Sequence, residues 1–420
     1  MLRKFALVNG SIVDGTGAKP IENGRLIIEP PRIVDVGERD SVRIPDDARV
    51  VDCSGKSIIP GLIDAHVHLC MEADDNPFTG FGRTKMSMIG WAMYTVANAK
   101  KTLESGVTTV RDVGSFDMVT VELRNLINAK VLRGPRILSC NQAIGITGGH
   151  GDDYKQSTFE GFRKLEGMTR FADTAEEARK AVREQIRAGA DWIKLYASGG
   201  ALEPDPERIN MFEYDFEELK AIADEAKRGQ RNCCAHCQPA EQIKNCVRAG
   251  IRTIEHGVFA DRTCAELMRD NNVSHIPTMI VYYRFATAKS NLPDSAIEAA
   301  TRATEFQQEN LRVAYELGVN IGMGTDAGAP MVEHGSNPAE LGMFTKVGLK
   351  PLEAIKACTH NSAKALGLEK TIGTLEKAKL ADLVIVQGDI LKEIALIRDK
   401  NKISAVFKDG EPQTDIAFTN

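Results

Sequence analysis

From Pro60 onward the sequence repeats one unit, a short apolar strand followed by a longer segment of helical periodicity, and the unit recurs eight times. The strands fall near residues 61–68, 107–113, 136–144, 191–197, 232–237, 251–256, 273–281 and 319–326. Val107-Thr108-Thr109-Val110-Arg111-Asp112-Val113, followed by helical spacing from Met118 to Leu132, shows the pattern. A strand that returns through a helix pairs in parallel with its neighbour, because the crossover brings the chain back in the same direction. Eight such units predict a closed (β/α)8 barrel, a TIM barrel, with its active site at the C-terminal ends of the strands.

The flanks read differently. Before Pro60 come short alternating strands broken by turns, such as Phe5-Ala6-Leu7-Val8 ahead of Asn9-Gly10, then Gly24–Ile28 and Arg32–Gly37. After a helix near Pro351–Leu366 the tail returns to strands at Ala381–Val386 and Ile403–Gly410. The two β-rich ends are expected to form one small domain, 1–59 with 371–420, around a barrel of 60–370.

A chain of 420 residues with 43% hydrophobic content can bury a large core, and nothing in its composition points away from a soluble enzyme. A net charge of −5 without a long run of one sign gives no purchase to a phosphate backbone or an anionic membrane. No apolar stretch is long enough for a signal peptide or a bilayer span, so a cytoplasmic location is expected. The expected partner is a small-molecule substrate, with no nucleic acid and no membrane; self-association into a homo-oligomer stays open. Nine cysteines, an odd number scattered through strands and helices, suit reduced thiols better than a disulfide framework. Cys233, Cys234 and Cys237 around His236 lack the second ligand pair of a zinc–thiolate site, and buried thiols are the simpler reading.

Chemistry concentrates at the predicted strand ends. His66 and His68 close the first strand, and alternation projects both imidazoles to one side while Val67 points to the other. Lys194 lies in Trp192-Ile193-Lys194-Leu195-Tyr196 between apolar neighbours that face outward, so the lysine points into the barrel. A bare ammonium there is costly. Either it pairs with an inward carboxylate such as Asp64, or its amine has added carbon dioxide to become a carbamate whose two oxygens can bridge two cations. His236 and His256 end strands five and six; singly, each is as readily a core histidine as a ligand. Asp326 ends strand eight, where it could instead cap a helix. Six metal-competent side chains at the ends of strands one, four, five, six and eight point to a binuclear site, with zinc the expected ion for a His-rich set.

These residues resemble the amidohydrolase superfamily, and within it the prolidase-like branch of metal-dependent dipeptidases and carboxypeptidases. The likeness spans nearly the whole chain. It rests on Pro60-Gly61-Leu62-Ile63-Asp64-Ala65-His66-Val67-His68, Gly148-Gly149-His150-Gly151-Asp152, Ile193-Lys194-Leu195-Tyr196-Ala197-Ser198-Gly199-Gly200, Ile254-Glu255-His256-Gly257, Gly324-Thr325-Asp326 and His334-Gly335-Ser336-Asn337. The resemblance implies two divalent ions. His66, His68 and Asp326 would hold the more buried one and His236 and His256 the other, with carboxylated Lys194 and a hydroxide bridging. It also implies a β-sandwich built from both termini.

The expected reaction is attack of the metal-bridging hydroxide on an amide carbonyl, with Asp326 moving a proton from the water to the departing amine. His150, in the glycine-flanked loop after strand three, is the candidate donor to the carbonyl oxygen, unless it only braces the loop. The branch often carries Tyr or His two residues beyond the strand-five histidine to hold a substrate carboxylate; here Gln238 stands in that position, and a neutral amide can still donate. Tyr282, placed on strand seven, matches a tyrosine often found there, and Arg284 is a candidate anchor for a carboxylate; both could equally be surface residues. His275 and His360 read as structural, and His334 as a rim residue that organises a loop or touches substrate. The expected substrates are dipeptides or N-acyl amino acids. The alternatives are another amide-like bond (carbamate, urea or cyclic amide) and, further off, a deaminase, although deaminases of this superfamily generally use one metal and no strand-four lysine. A metal-free scaffold would have little reason to keep all six ligands.

Overall fold

The strand–helix repeat closes into a parallel barrel in the computed structural model, which describes residues 4–73, 87–152, 167–202, 208–288, 294–416 and 418. The barrel strands are Leu62–Val67, Val107–Asp112, Arg136–Ser139 continued by Ala143–Gly145, Trp192–Tyr196, Asn232–Cys237, Thr253–His256 and Ser274–Ile276. Each pairs in parallel with the next, as in Thr109↔Arg136, Lys194↔Cys234 and Ile254↔His275. The third is broken at its middle, and the Ser139 carbonyl accepts from the Asp191 amide at 2.7 Å to carry the seam to strand four. The surrounding helices follow amphipathic sequence. Phe216–Arg228, opened by a capping box of Asp215 and Glu218, turns Leu219, Ile222, Ala223 and Ala226 onto the barrel.

Two elements depart from expectation. The eighth segment is not a regular strand. It closes the barrel through isolated parallel bridges, His275↔Ile321 and Val67↔Ala327, and through Ala65 N donating to Met323 O at 2.9 Å. Gly324 explains the tight seam: a Cβ there would lie 2.3 Å from Cγ2 of Ile276 and 2.8 Å from Cβ of His66, so only a bare backbone fits between strands one and seven.

The seventh strand ends at Ile276, and Met279–Thr287 is a helix rather than more strand. Short apolar runs do not distinguish the two by pattern. What decides is the left-handed turn at Thr278 (φ 49°) and the buried Glu340, whose carboxylate accepts from the Met279 and Ile280 amides at 2.8 and 2.9 Å. These are two of the N–H groups a new helix leaves open.

Burial pushes the Glu340 carboxyl up to about 8. A raised acid stabilises the fold below its ordinary value of 4.5 and loses that contribution as pH climbs through 8. Between those limits the stability of the wild type relative to Glu340→Gln should fall by up to ~1.4 kcal/mol per pH unit. Urea unfolding of both proteins at pH 5 and pH 8, at matched metal content, measures it; a constant gap would show that the carboxyl titrates normally.

The two termini build one eight-stranded mixed sheet, ordered Glu411–Pro412, Ile403–Lys408, Leu383–Gln387, Lys56–Pro60, Phe5–Ile12, Ile21–Glu29 and Arg32–Gly37, with Arg49–Asp52 against the first half of Phe5–Ile12. The expected sandwich therefore takes the form of a continuous sheet curled over its own apolar face. Phe5 and Phe407 lie three strand spacings apart along it, about 14 Å if flat, yet their rings meet at 5.6 Å. Arg136 ties this sheet to the barrel through Asp382 and Asp409 at 2.5 and 2.6 Å. Among the described residues no helix is long and apolar enough to cross a membrane.

Candidate active site

His66 and His68 emerge together at the C-terminal end of strand one, with Val67 buried on the other side. Each has one ring nitrogen fixed from behind. Nδ1 of His66 donates to Oε2 of Glu255 at 2.7 Å, and Nδ1 of His68 to the Gly114 carbonyl at 3.1 Å. Both therefore turn an Nε2 lone pair toward Oδ1 of Asp326, 3.6 and 3.3 Å away. One ligand atom from each of the three lies within 4.8 Å of the others. Asp326 caps no helix, since the next begins at Ala339. Its left-handed backbone (φ 58°) and an amide bond to the His66 carbonyl at 2.8 Å aim the carboxylate at the histidines.

His236 and His256 bring two more imidazoles to the same cavity. The His66 and His256 ring centroids are 4.8 Å apart, and those of His236 and His256 4.6 Å. Nε2 of His236 donates to the Gly199 carbonyl at 3.2 Å, which leaves Nδ1 as its open nitrogen. Nδ1 of His256 bonds Oγ1 of Thr278 at 2.7 Å, which leaves Nε2.

Lys194, on strand four, is 1% exposed, and no carboxylate among the described residues pairs with it. Asp64 is bonded elsewhere: it accepts from Oγ1 of Thr325 at 2.6 Å, Nδ2 of Asn337 at 2.8 Å and the Thr325 and His66 amides at 3.1 and 3.2 Å. The Lys194–Asp64 pairing is thereby removed, and the buried amine lies near His66, His236 and His256, whose protonation it disfavours.

Burial drives the His66, His236 and His256 imidazoles neutral. His66 and His236 sit well below their ordinary value and His256 falls to about 3. For Asp326 burial acts upward, but His66 and His68 overcome it and hold the carboxyl well below the usual range. Neutral imidazoles with open nitrogens beside an ionised carboxylate are the protonation states that divalent-cation ligation requires. The donor set thus fits a metal ion at His66, His68 and Asp326, with the open nitrogens of His236 and His256 in the same cavity.

At the mouth, the His150 ring stacks on His236 with centroids 4.2 Å apart. Gly200 permits this, because a Cβ there would lie 2.5 Å from Cε1 of His150. Gln238 does not serve as the open donor expected at this position. It is fully buried, its Nε2 donating to Oη of Tyr282 at 3.0 Å and its Oε1 accepting from the Val258 amide at 3.2 Å. Tyr282 stands on the Met279–Thr287 helix rather than on a strand, 6.5 Å from the His256 ring between centroids. Arg284 is paired with Glu333 at 2.9 Å and the Met331 carbonyl at 2.5 Å, so it is not poised as an anchor. His334 braces the rim: Nε2 donates to the His68 and Met71 carbonyls at 3.1 and 3.2 Å. His275 donates to the His256 carbonyl at 2.8 Å, a supporting role. All nine cysteines are free and buried, and the thiols near His236 pack into the core.

The sequence reading missed Arg111 and Glu255. Alternation assigns Glu255 and its neighbour His256 to opposite faces, but His256 has φ 66°, and the left-handed turn brings both inward. The only signal was a pair of charged residues inside apolar strands, Arg111 on strand two and Glu255 on strand six.

The profile of the Amidohydrolase family matches residues 57–412. Ochratoxinase of Aspergillus niger is 29% identical over 96% of this chain and 85% of its own length. A Xaa-Pro dipeptidase with methionine bound in its active site superposes with a TM-score of 0.87 at 28% identity, covering 98% of this chain and 100% of that one. A prolidase complexed with N-methylphosphonate-L-proline gives a TM-score of 0.86 at 30% identity, over 97% and 99% of the two chains.

Proposed function

Because the chain belongs to the amidohydrolase family and is a hydrolytic enzyme acting on amide C–N bonds, we propose that it uses two divalent ions, zinc by default, to cleave dipeptides or N-acyl amino acids. The observation that carries the binuclear reading is Lys194, a buried amine without a carboxylate partner among the described residues, near the neutral imidazoles of His66 and His256. Its neutral amine would add carbon dioxide, the N–C bond forming as one C–O π bond becomes a carboxylate and the nitrogen gives up a proton to solvent, leaving an anion with two ligand oxygens. The amino acid in the site of the similar dipeptidase and the proline analogue bound to the similar prolidase support the substrate class.

When bound, the two cations lower the pKa of a water and polarise the scissile carbonyl. Asp326 takes the proton of the attacking water and delivers it to the departing amine nitrogen. His150, stacked over His236, is the donor assigned to the carbonyl oxygen as charge develops on it. Tyr282 takes the recognition role. Because Gln238 donates to its oxygen, the phenol hydrogen is directed elsewhere, toward a substrate carboxylate.

A site built around such a donor discriminates against a substrate that lacks the matching acceptor. An N-acyl amino acid or dipeptide should exceed its C-terminal amide in kcat/KM by ~10²-fold or more. Equal values would remove carboxylate recognition and favour a carbamate, urea or cyclic amide substrate.

A further inference from the structure

We propose that Arg111 and Glu255 form a positioning pair that makes the two cation positions unequal, strengthening the ion held by His66, His68 and Asp326 over the one held by His236 and His256. This rests on the binuclear reading above.

Both side chains are fully buried inside the barrel. Oε1 of Glu255 accepts from Nη2 of Arg111 at 2.7 Å and from Oγ1 of Thr253 at 2.5 Å, while Oε2 accepts from Nδ1 of His66 at 2.7 Å. Arg111 is itself held on every side. Its Nε donates to the Ala65 carbonyl at 2.8 Å, its Nη1 to Oγ1 of Thr253 at 3.1 Å, and its guanidinium lies 4.7 Å from the centre of the Trp192 ring. A carboxylate alone in this interior would be costly, and the guanidinium compensates it. The pair therefore presents a rigid anionic acceptor to one imidazole.

The asymmetry lies in the other three histidines. The rear nitrogen of His68 bonds the Gly114 carbonyl, that of His236 the Gly199 carbonyl and that of His256 the Thr278 hydroxyl, all neutral partners. Only His66 is backed by a carboxylate. An imidazole whose second nitrogen donates to a carboxylate is both oriented and made a stronger electron donor, and removal of such a partner weakens metal binding by ~10–100-fold. The same carboxylate makes no hydrogen bond to His236 or His256, so its orienting effect falls on the ion held by His66.

The test is chelator competition on the zinc-loaded full chain, comparing wild type with Glu255→Gln and following the content of each ion. Cobalt-substituted samples are read by visible absorption. The expected result is a ~10–100-fold loss of affinity for the tighter ion, an unchanged weaker ion, and an altered spectrum for the cobalt that binds first. Equal weakening of both ions, or two ions at wild-type affinity, overturns the pairing role and leaves the binuclear reading intact. A wild type that never holds two ions overturns both. Should Glu255→Gln not fold, Thr253→Val keeps the charge pair while removing one donor to Oε1. It should then shift the same ion severalfold, and no shift overturns the proposal.

Discussion

Lys194→Ala yields a folded barrel that has lost its metal and its activity. The strand Trp192–Tyr196 is held by pairing with Asn232–Cys237 and by apolar neighbours, and none of these contacts needs the amine. Removing a buried unpaired cation should even relieve the metal-free fold. What disappears is the group proposed to bridge the two ions. With it goes the charge stabilisation that metal ions supply, several kcal/mol, or about a thousandfold or more in kcat/KM. Elemental analysis of chelator-free preparations checks the first part, with two ions expected for wild type and fewer for the variant. A wild type saturating at one ion, or a Lys194→Ala protein that keeps both ions and full turnover, would end the bridging assignment.

Asp326→Asn should be nearly as damaging by a different route. The amide keeps the shape of the side chain but cannot accept the proton of the attacking water. Loss of proton transfer costs ~10²–10⁴-fold in kcat, with the weakening of one ion added. Assays in excess metal separate the two contributions. If excess zinc restored full kcat, Asp326 would be a ligand and not the proton carrier.

The barrel and most of its candidate ligands were legible because they depend on local rules. Strand-then-helix alternation leaves few topologies other than a parallel barrel, and alternation along strand one puts His66 and His68 on one side without reference to the rest of the chain. The inward aim of Lys194 was also readable, since the residues flanking it on the strand are apolar. The errors arose where the backbone leaves regular geometry. Segment 319–326 alternates like a strand, yet the space between strands one and seven admits only Gly324 and leaves isolated bridges. The run after Pro277 has the apolar character of a strand, but Glu340, sixty residues away in sequence, accepts the first amides of a helix there.

The sequence by itself determined the fold class, the family resemblance and the inventory of groups able to bind cations, because each is encoded in spacing and residue type over a few neighbours. Only the tertiary structure decided what those groups do to one another. It committed the Gln238 amide to Tyr282, occupied Asp64 with Thr325 and Asn337, paired Arg284 with Glu333, and set Glu255 and Arg111 behind His66. Hydrogen-bond partners in a barrel come from strands far apart in the chain, and a buried polar group is committed to whichever partner the closed barrel brings within about 3 Å.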